Sequence, residues 1–136
     1  MDLASKVVDK MLSGDAFSKW LGIEILEISS GYCKLKMQVR KEMTNGFDIA
    51  HGGITYSLAD SALAFAANSY GIQSLSVETS IKHTKKVMNG DTLIAETKEI
   101  ELKEKTASYV INIINQNGIE VAEFNGKVYI TKNYWF

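Results

Sequence analysis

The feature that most limits how this chain can fold is one stretch, residues 54–70, that is apolar around most of a helical circumference. Its apolar positions include Leu58, Ala59, Ala62, Leu63, Phe65 and Ala66. A surface helix keeps a polar face toward water, so a helix with this pattern must be buried. Because 136 residues are the size of one domain, we expect a single domain, 1–136, built around this helix.

The segments on either side of the helix alternate apolar and polar residues, which is typical of half-buried strands. Before it, residues 23–28 and 33–39 predict a hairpin across the turn at 29–31. After it, four strands are expected, over 75–87, 92–103, 108–115 and 119–131. Two short helices are expected at 3–12 and 16–20, ended near Gly14 and Gly22. The order predicts an α+β fold, a curved antiparallel sheet around one long buried helix, with residues 1–15 as an N-terminal helical extension.

Composition excludes several classes of protein. Hydrophobic residues make up 46% and charged residues 23%, as in globular proteins, so a disordered chain is excluded. Fifteen basic against sixteen acidic residues argue against nucleic acid as a partner, since such domains carry a basic excess. The single cysteine, Cys33, cannot form an internal disulfide and favours a cytoplasmic location. No run reaches the ~18 apolar residues of a membrane helix, so we expect no membrane partner.

The most informative residues for chemistry are His51, Gly52 and Gly53, at the entrance of the buried helix. The first amides of a helix lack an intrahelical partner, and the helix dipole adds partial positive charge there. Glycine leaves these amides open to a ligand, so they could polarise a carbonyl and stabilise an oxyanion. A tight loop without a chemical role is the alternative.

Asp60 lies in the apolar middle of the same helix. Burying an ionised and unpaired carboxylate costs several kcal/mol, so a reason for its presence is needed. The small residues Ser57 and Ala64, one turn to either side, leave space above it. This arrangement favours a general base or a nucleophile beside a substrate cavity. A structural aspartate, bonded to a neighbouring strand or subunit, is the alternative.

Other chemistries lack the residues they need. His51 and His83 are the only histidines and have no metal-ligand spacing, so we expect no metal. Neither a serine-hydrolase elbow nor a phosphate or dinucleotide loop is present, so we expect no bound cofactor. Cys33 has the position of a small core residue on a strand.

One extended motif runs Asn45-x5-His51-Gly52-Gly53-x4-Leu58-Ala59-Asp60 and continues as Ala64-x-Ala66-x-Asn68-Ser69-x-Gly71. It resembles the PaaI-type acyl-CoA thioesterases of the hotdog-fold superfamily, and the order of elements agrees over residues 16–132. The resemblance implies a hotdog fold and hydrolysis of aryl- or fatty acyl-CoA to free acid and coenzyme A, which is part of the substrate. It also implies a homo-oligomer, a dimer or a dimer of dimers (homotetramer), and a place in phenylacetic acid degradation.

The resemblance also implies a role for each matched residue. The Gly52 amide would hold the thioester oxygen, and Asp60 of the partner subunit would activate water or attack as a nucleophile. Asn45 would position the water or the carbonyl, and His51 would shape the loop near the thioester. Ser76 matches a serine that orients the acid or the water.

A basic cluster follows the helix and consists of Lys82, His83, Lys85 and Lys86. Together with Gly53, these residues are candidate contacts for coenzyme A, because local positive charge attracts its phosphates. The alternative is a solvated strand end whose lysines prevent edge pairing. Many relatives carry a proline in this segment, whereas residues 81–88 have none.

The sequence leaves alternatives open for the activity, for three aromatic residues and for the C-terminal residues. A non-catalytic acyl-CoA or acyl-carrier binding module would share these residues, whereas the absence of any proline disfavours a hotdog hydratase. Phe47, Tyr56 and Phe65 could line an acyl pocket that accepts aromatic groups, or they could be core residues. The C-terminal Tyr134-Trp135-Phe136 could pack on Trp20, pack on a neighbouring subunit, or fray.

Overall fold

The computed structural model describes residues 1–136, with three α-helices and six β-strands. The helices are α1 (Leu3–Ser13), α2 (Ala16–Leu21) and α3 (Gly52–Asn68). The strands are β1 (Glu24–Ser29), β2 (Tyr32–Gln38), β3 (Ile72–His83), β4 (Thr92–Leu102), β5 (Thr106–Ile114) and β6 (Glu120–Tyr134). None of the helices is both long enough and apolar enough to span a membrane.

The six strands form one antiparallel sheet in the order β1-β2-β4-β5-β6-β3, so β1 and β3 are its two edges. The sheet wraps around α3, which contacts every strand from β2 to β6. All six apolar helix positions that the sequence singled out are at most 1% exposed. The predicted α+β hotdog arrangement is therefore confirmed.

One stripe of α3 is not fully covered by the sheet. Ser57, Asp60, Ser61 and Ala64 are half-buried, whereas most of the helix around them is buried. Residues three and four apart share one face of a helix, so these four side chains form a continuous stripe. The stripe leaves the Asp60 carboxylate accessible although the helix that carries it is central.

The N-terminal helices agree with their sequence signals. The carboxylates of Asp2 and Asp15 accept hydrogen bonds from the third residue of each helix, and Gly14 and Gly22 follow their last residues. Helix α1 buries Val7 and Val8 and packs against α3.

Several predicted boundaries are wrong by two or more residues, and two of these differences have a clear physical reason. Helix α3 begins at Gly52, two residues earlier than expected, because the His51 side chain caps it despite the weak helix propensity of glycine. Strand β3 ends at His83 and not at Val87. Beyond it, the Val87 carbonyl accepts a hydrogen bond from the Ala50 amide, so this segment pairs with the loop before α3.

The end of α3 is attached to the sheet through Gly31 in the β1–β2 turn. Gly31 has a φ of +74°, and its amide donates to the Ser69 hydroxyl at 2.7 Å. A Cβ atom there would lie 2.5 Å from the Tyr70 hydroxyl oxygen and closer still to Glu99. Tyr70 donates to that carboxylate at 2.7 Å and Tyr109 at 2.9 Å, so the space is filled by a hydrogen-bonded network.

We therefore expect Gly31→Ala to lower the free energy of unfolding much more than Gly118→Ala. Gly118 has the same φ of +74° but open space around its Cα, so alanine there costs only the left-handed backbone penalty of about 1–2 kcal/mol. Alanine at Gly31 adds steric overlap, worth about 1–3 kcal/mol more. Urea unfolding of both variants measures the difference, and equal losses would show that the network yields without cost.

Candidate active site

The N-terminus of α3 offers an unpaired backbone donor. The Gly52 N–H has no acceptor within the chain, whereas the N–H of Gly53 donates to Nδ1 of His51 at 2.9 Å. Gly52 lines a cavity of about 370 Å³ that also contains Asn45, His83, Lys85 and Lys86. One free amide at a positive helix end is therefore available to an anion or a polarised oxygen.

Asn45 supplies a second donor to the same cavity. Its side-chain oxygen accepts hydrogen bonds from the Phe47 amide at 2.9 Å and the Ile49 amide at 3.5 Å. These bonds orient the side chain and leave its NH₂ group without a partner in the chain. The sequence grouped Asn45 with Gly52, and the fold brings both to one cavity.

His51 and Gly53 lie on another side of the helix entrance. The His51 ring accepts from Gly53, which fixes Nδ1 as the acceptor and makes His51 a helix cap. Both residues line a separate cavity with Phe17, Trp20 and Ser57. Their hydrogen bond gives both residues a role at the start of the helix, and their expected contacts with substrate stay predictions.

His83, and not His51, lines the cavity that contains the free amide of Gly52. A Cβ atom on Gly52 would lie 3.5 Å from Nε2 of His83, so the imidazole lies directly over the glycine. Its Nδ1 is 3.3 Å from the Thr55 hydroxyl, which donates to the Gly52 carbonyl at 3.1 Å. Lys85 and Lys86 line the cavity beside it, whereas Lys82 lies on β3 outside the lining.

Asp60 lies in a different cavity, with a volume of about 310 Å³. Its carboxylate has no hydrogen bond or ion pair in the chain, and burial raises its pKa above the usual aspartate value. Ser76 on β3 lines the same cavity and also has a free hydroxyl. An unpaired carboxylate with a raised pKa is a stronger base than an exposed one, which suits proton abstraction.

The two sets of residues do not meet within one chain. Gly52 and Asp60 are eight positions apart on α3, which corresponds to about 12 Å along the helix axis. The cavity of Gly52 contains none of the residues that line the cavity of Asp60. The free donors and the unpaired carboxylate therefore lie in two separate half-sites, as expected if a site forms between subunits.

The aromatic residues expected near the site have other positions. Phe65 is fully buried, and Phe47 is 86% exposed. Tyr56 packs edge-on against Phe124 and shares a hydrogen bond with Thr79. None of the three lines either half-site within the chain, and Phe65 is a core residue, so a contact of Phe47 or Tyr56 with the acyl group stays a prediction.

Sequence reasoning missed the aromatic residue that does line the Asp60 cavity, Trp135. Strand β6 runs to Tyr134 and carries the tail to the end of α3, not to Trp20, which stacks on Phe17. Cys33 is buried with its pKa raised to about 12 by burial, so its thiol is inert. No three metal-binding side chains come together anywhere in the chain.

Comparisons with known proteins show which family the chain belongs to. Residues 47–122 match the family model of the thioesterase superfamily. The acyl-coenzyme A thioesterase PaaI of Escherichia coli is 38% identical over 117 residues, covering 86% of this chain and 84% of the relative. A protein of Archaeoglobus fulgidus, named for an inferred esterase activity, is 40% identical over 127 residues, 93% of this chain and 82% of its own.

A solved structure gives the same result for the fold. The E. coli PaaI protein from the phenylacetic acid degradation operon superposes with a TM-score of 0.94 at 34% identity, covering 96% of this chain and 95% of that one. The curved sheet, the central helix and the match over 47–122 lead to one conclusion. The chain belongs to the thioesterase superfamily as a PaaI-like hotdog protein, and it is a thioester hydrolase.

Proposed function

We propose that the protein hydrolyses acyl-CoA thioesters to the free acid and coenzyme A. The observation that carries this proposal is the pair of complementary half-sites, free donors at Gly52 and Asn45 and a free carboxylate at Asp60. In a dimer, Gly52 of one subunit would face Asp60 of the partner subunit. The relationship to an acyl-coenzyme A thioesterase supports the same substrate class.

The proposed reaction begins with a water molecule held between Asp60 and Ser76. The Asp60 carboxylate takes a proton from this water while its oxygen attacks the thioester carbon. The Gly52 N–H and the Asn45 NH₂ group stabilise the oxyanion that develops on the carbonyl oxygen. The carbon–sulfur bond then breaks and the thiolate of coenzyme A leaves. The proton held by Asp60 is transferred to this thiolate, which leaves Asp60 ionised as at the start. We favour a general base over a nucleophile because Ser76 lies in the same cavity and can orient the water.

The dimer that we propose forms through the free edge of the sheet. Strand β3 is an edge strand, and Leu75 and Val77 on it are 65% and 61% exposed. Ser76 lies between them, so pairing of two β3 edges would cover this apolar surface and bring partner residues toward Asp60. An exposed apolar edge otherwise invites aggregation. A dimer of dimers would extend the same assembly.

We also propose a cytoplasmic location, which the single cysteine favours, and aryl substrates such as phenylacetyl-CoA. The similarity to the E. coli PaaI protein from the phenylacetic acid degradation operon supports the aryl substrate.

Release of free thiol from a panel of acyl-CoAs tests the function directly. We expect turnover with at least one aryl or fatty acyl-CoA, at rates proportional to enzyme concentration. Calorimetric binding of an acyl-CoA without thiol release would instead identify a binding module. Neither binding nor turnover would exclude acyl-CoA as the substrate class.

The lysines beside Gly52 give a separate prediction about coenzyme A. We expect the double variant Lys85→Ala/Lys86→Ala to raise KM for acyl-CoA by about 5–10-fold with a small change in kcat, because these charges lie beside the donors and attract phosphates. The dependence of kcat/KM on salt should also become weaker. Lys98→Ala/Lys105→Ala is the matched control, since both lysines are exposed and line neither half-site. Equal effects of the two double variants would mean that only net charge matters.

A further inference from the structure

The cavity beside Asp60 is lined by six apolar and five polar residues, and the polar ones other than Asp60 and Ser76 are Asn68, Gln73 and Ser74. Its apolar lining consists of Met11, Leu63, Ala64, Leu75, Val128 and Trp135. Asp60, Ala64 and Asn68 follow one another at intervals of four residues, so they lie along one face of α3. The cavity therefore extends about two helical turns, or about 12 Å, away from the carboxylate.

Trp135 is held at the far end of this cavity by Asn68. The indole N–H of Trp135 donates to the side-chain oxygen of Asn68 at 2.9 Å, and the Trp135 amide donates to the Gly71 carbonyl at 3.0 Å. Asn68 is 2% exposed, and its side chain also accepts from the Ser74 amide and donates to the carbonyls of Ala64 and Ser74. Because every hydrogen-bonding position of this amide is occupied, the indole has one fixed orientation.

The N-terminal helix holds the same tail from the other side. Lys10 on α1 donates to the Trp135 carbonyl at 2.9 Å, and its ammonium lies 4.7 Å from the centre of the Phe136 ring. Met11, the next residue, lines the cavity. Helix α1 and the segment that follows β6 thus meet beside Trp135, at the end of the cavity away from Asp60.

We infer that the acyl group of the substrate enters this cavity from Asp60 and that Trp135 forms its closed end and limits acyl size. The inference rests on the proposed acyl-CoA hydrolysis and adds the position of the acyl group. A volume of about 310 Å³ lies at the lower limit of ligand pockets, which are ~300–1,000 Å³, so it suits an acyl group and not a whole acyl-CoA. The apolar lining and the indole ring favour an aryl or medium-chain acyl group.

A second aromatic cavity provides the competing position. Phe17 and Trp20 on α2 stack with their ring centres 6.1 Å apart and line a cavity of about 330 Å³ with His51 and Gly53. This cavity contains neither Asp60 nor the free amide of Gly52, and the N–H of Gly53 there is already bonded. We therefore assign the acyl group to the cavity of Trp135.

The test is kcat/KM for phenylacetyl-CoA and for straight-chain acyl-CoAs of 4 to 16 carbons, in the wild type and four variants. Trp135→Ala opens the end of the cavity and should shift the ratio of long-chain to short-chain kcat/KM by about 10-fold or more toward long chains. Ala64→Leu fills the middle of the cavity and should shift the ratio toward short chains. Trp20→Ala and Leu26→Ala, which lie outside this lining, should leave the ratio within about 2-fold of the wild type.

Two outcomes separate the inference from the function on which it rests. If the wild type hydrolyses acyl-CoAs but only Trp20→Ala changes the ratio, the acyl group lies in the cavity of α2 and the inference is wrong. If the wild type hydrolyses none of them, the proposed function is wrong. Should Trp135→Ala fail to fold, Ala64→Leu still decides, because an unchanged ratio there would also overturn the inference.

Discussion

Asp60→Asn is expected to lower kcat for acyl-CoA hydrolysis by about 10²–10⁴-fold, the range that a positioned general base contributes. Asparagine keeps the size and the hydrogen-bonding shape of the side chain but cannot accept a proton from water. The carboxylate has no hydrogen bond or ion pair in the chain, so its loss should leave neighbouring groups unchanged. Thiol release under saturating substrate measures the effect.

The same substitution should stabilise the protein at neutral pH. Burial raises the pKa of Asp60, so the folded chain binds this proton more tightly than the unfolded chain does. The stabilisation of the folded chain by this proton is complete below the pKa of Asp60 in the unfolded chain, about 3.9. It is lost as the pH rises through the raised pKa of Asp60 in the folded chain. At pH 7–8 the ionised carboxylate is therefore destabilising and asparagine removes this effect, so we expect a small rise in Tm, because solvent screens a carboxylate that is only partly buried.

Asp9→Asn is the matched control, because Asp9 is exposed on α1 and outside both half-sites. It should change neither kcat nor Tm appreciably. In the wild type, kcat/KM should increase with pH through a midpoint above the ordinary aspartate pKa, and this acidic limb should be absent from the residual activity of Asp60→Asn. Wild-type turnover by Asp60→Asn would remove Asp60 from the mechanism.

The central helix and the sheet were predictable because their signals are local. The apolar surface of α3 and the two-residue period of β2 follow from the spacing of neighbouring side chains. The ends of β3 were not predictable in this way. Near the start of β3, Ser74 is bonded to Asn68 on α3, and the segment after His83 pairs with a loop more than thirty residues earlier.

In the candidate site, too, the residues with an unusual local pattern were predictable, and the residues placed by distant contacts were not. Gly52 and Asp60 could be selected from the sequence because glycines at a helix start and a carboxylate in an apolar helix are locally unusual. The roles of Trp135 and His83 depend on contacts with residues 67 and 28 positions away. Their positions follow from the register of β6 and β3, which no local pattern sets.

Mixing two inactive variants is expected to restore activity if each site combines two subunits. Asp60→Asn removes the base, and Gly52→Val removes access to the free amide. A single Cβ at Gly52 would make ordinary contact with His83 at 3.5 Å, but the two further methyl groups of valine would fill the space above the amide. Each variant alone should retain less than about 1% of wild-type kcat.

In a dimer of one subunit of each kind, one site contains both substitutions and the other contains neither. Random exchange makes half of the dimers mixed, so activity should recover to about one quarter of the wild type. Mixing Asp60→Asn with Asp60→Ala should restore nothing, because every site then lacks the base. Thiol release after subunit exchange measures the recovery, with differently tagged subunits reporting the mixed fraction. Mixed dimers without activity would mean that Gly52 and Asp60 act within one chain, which their separation of about 12 Å along α3 opposes.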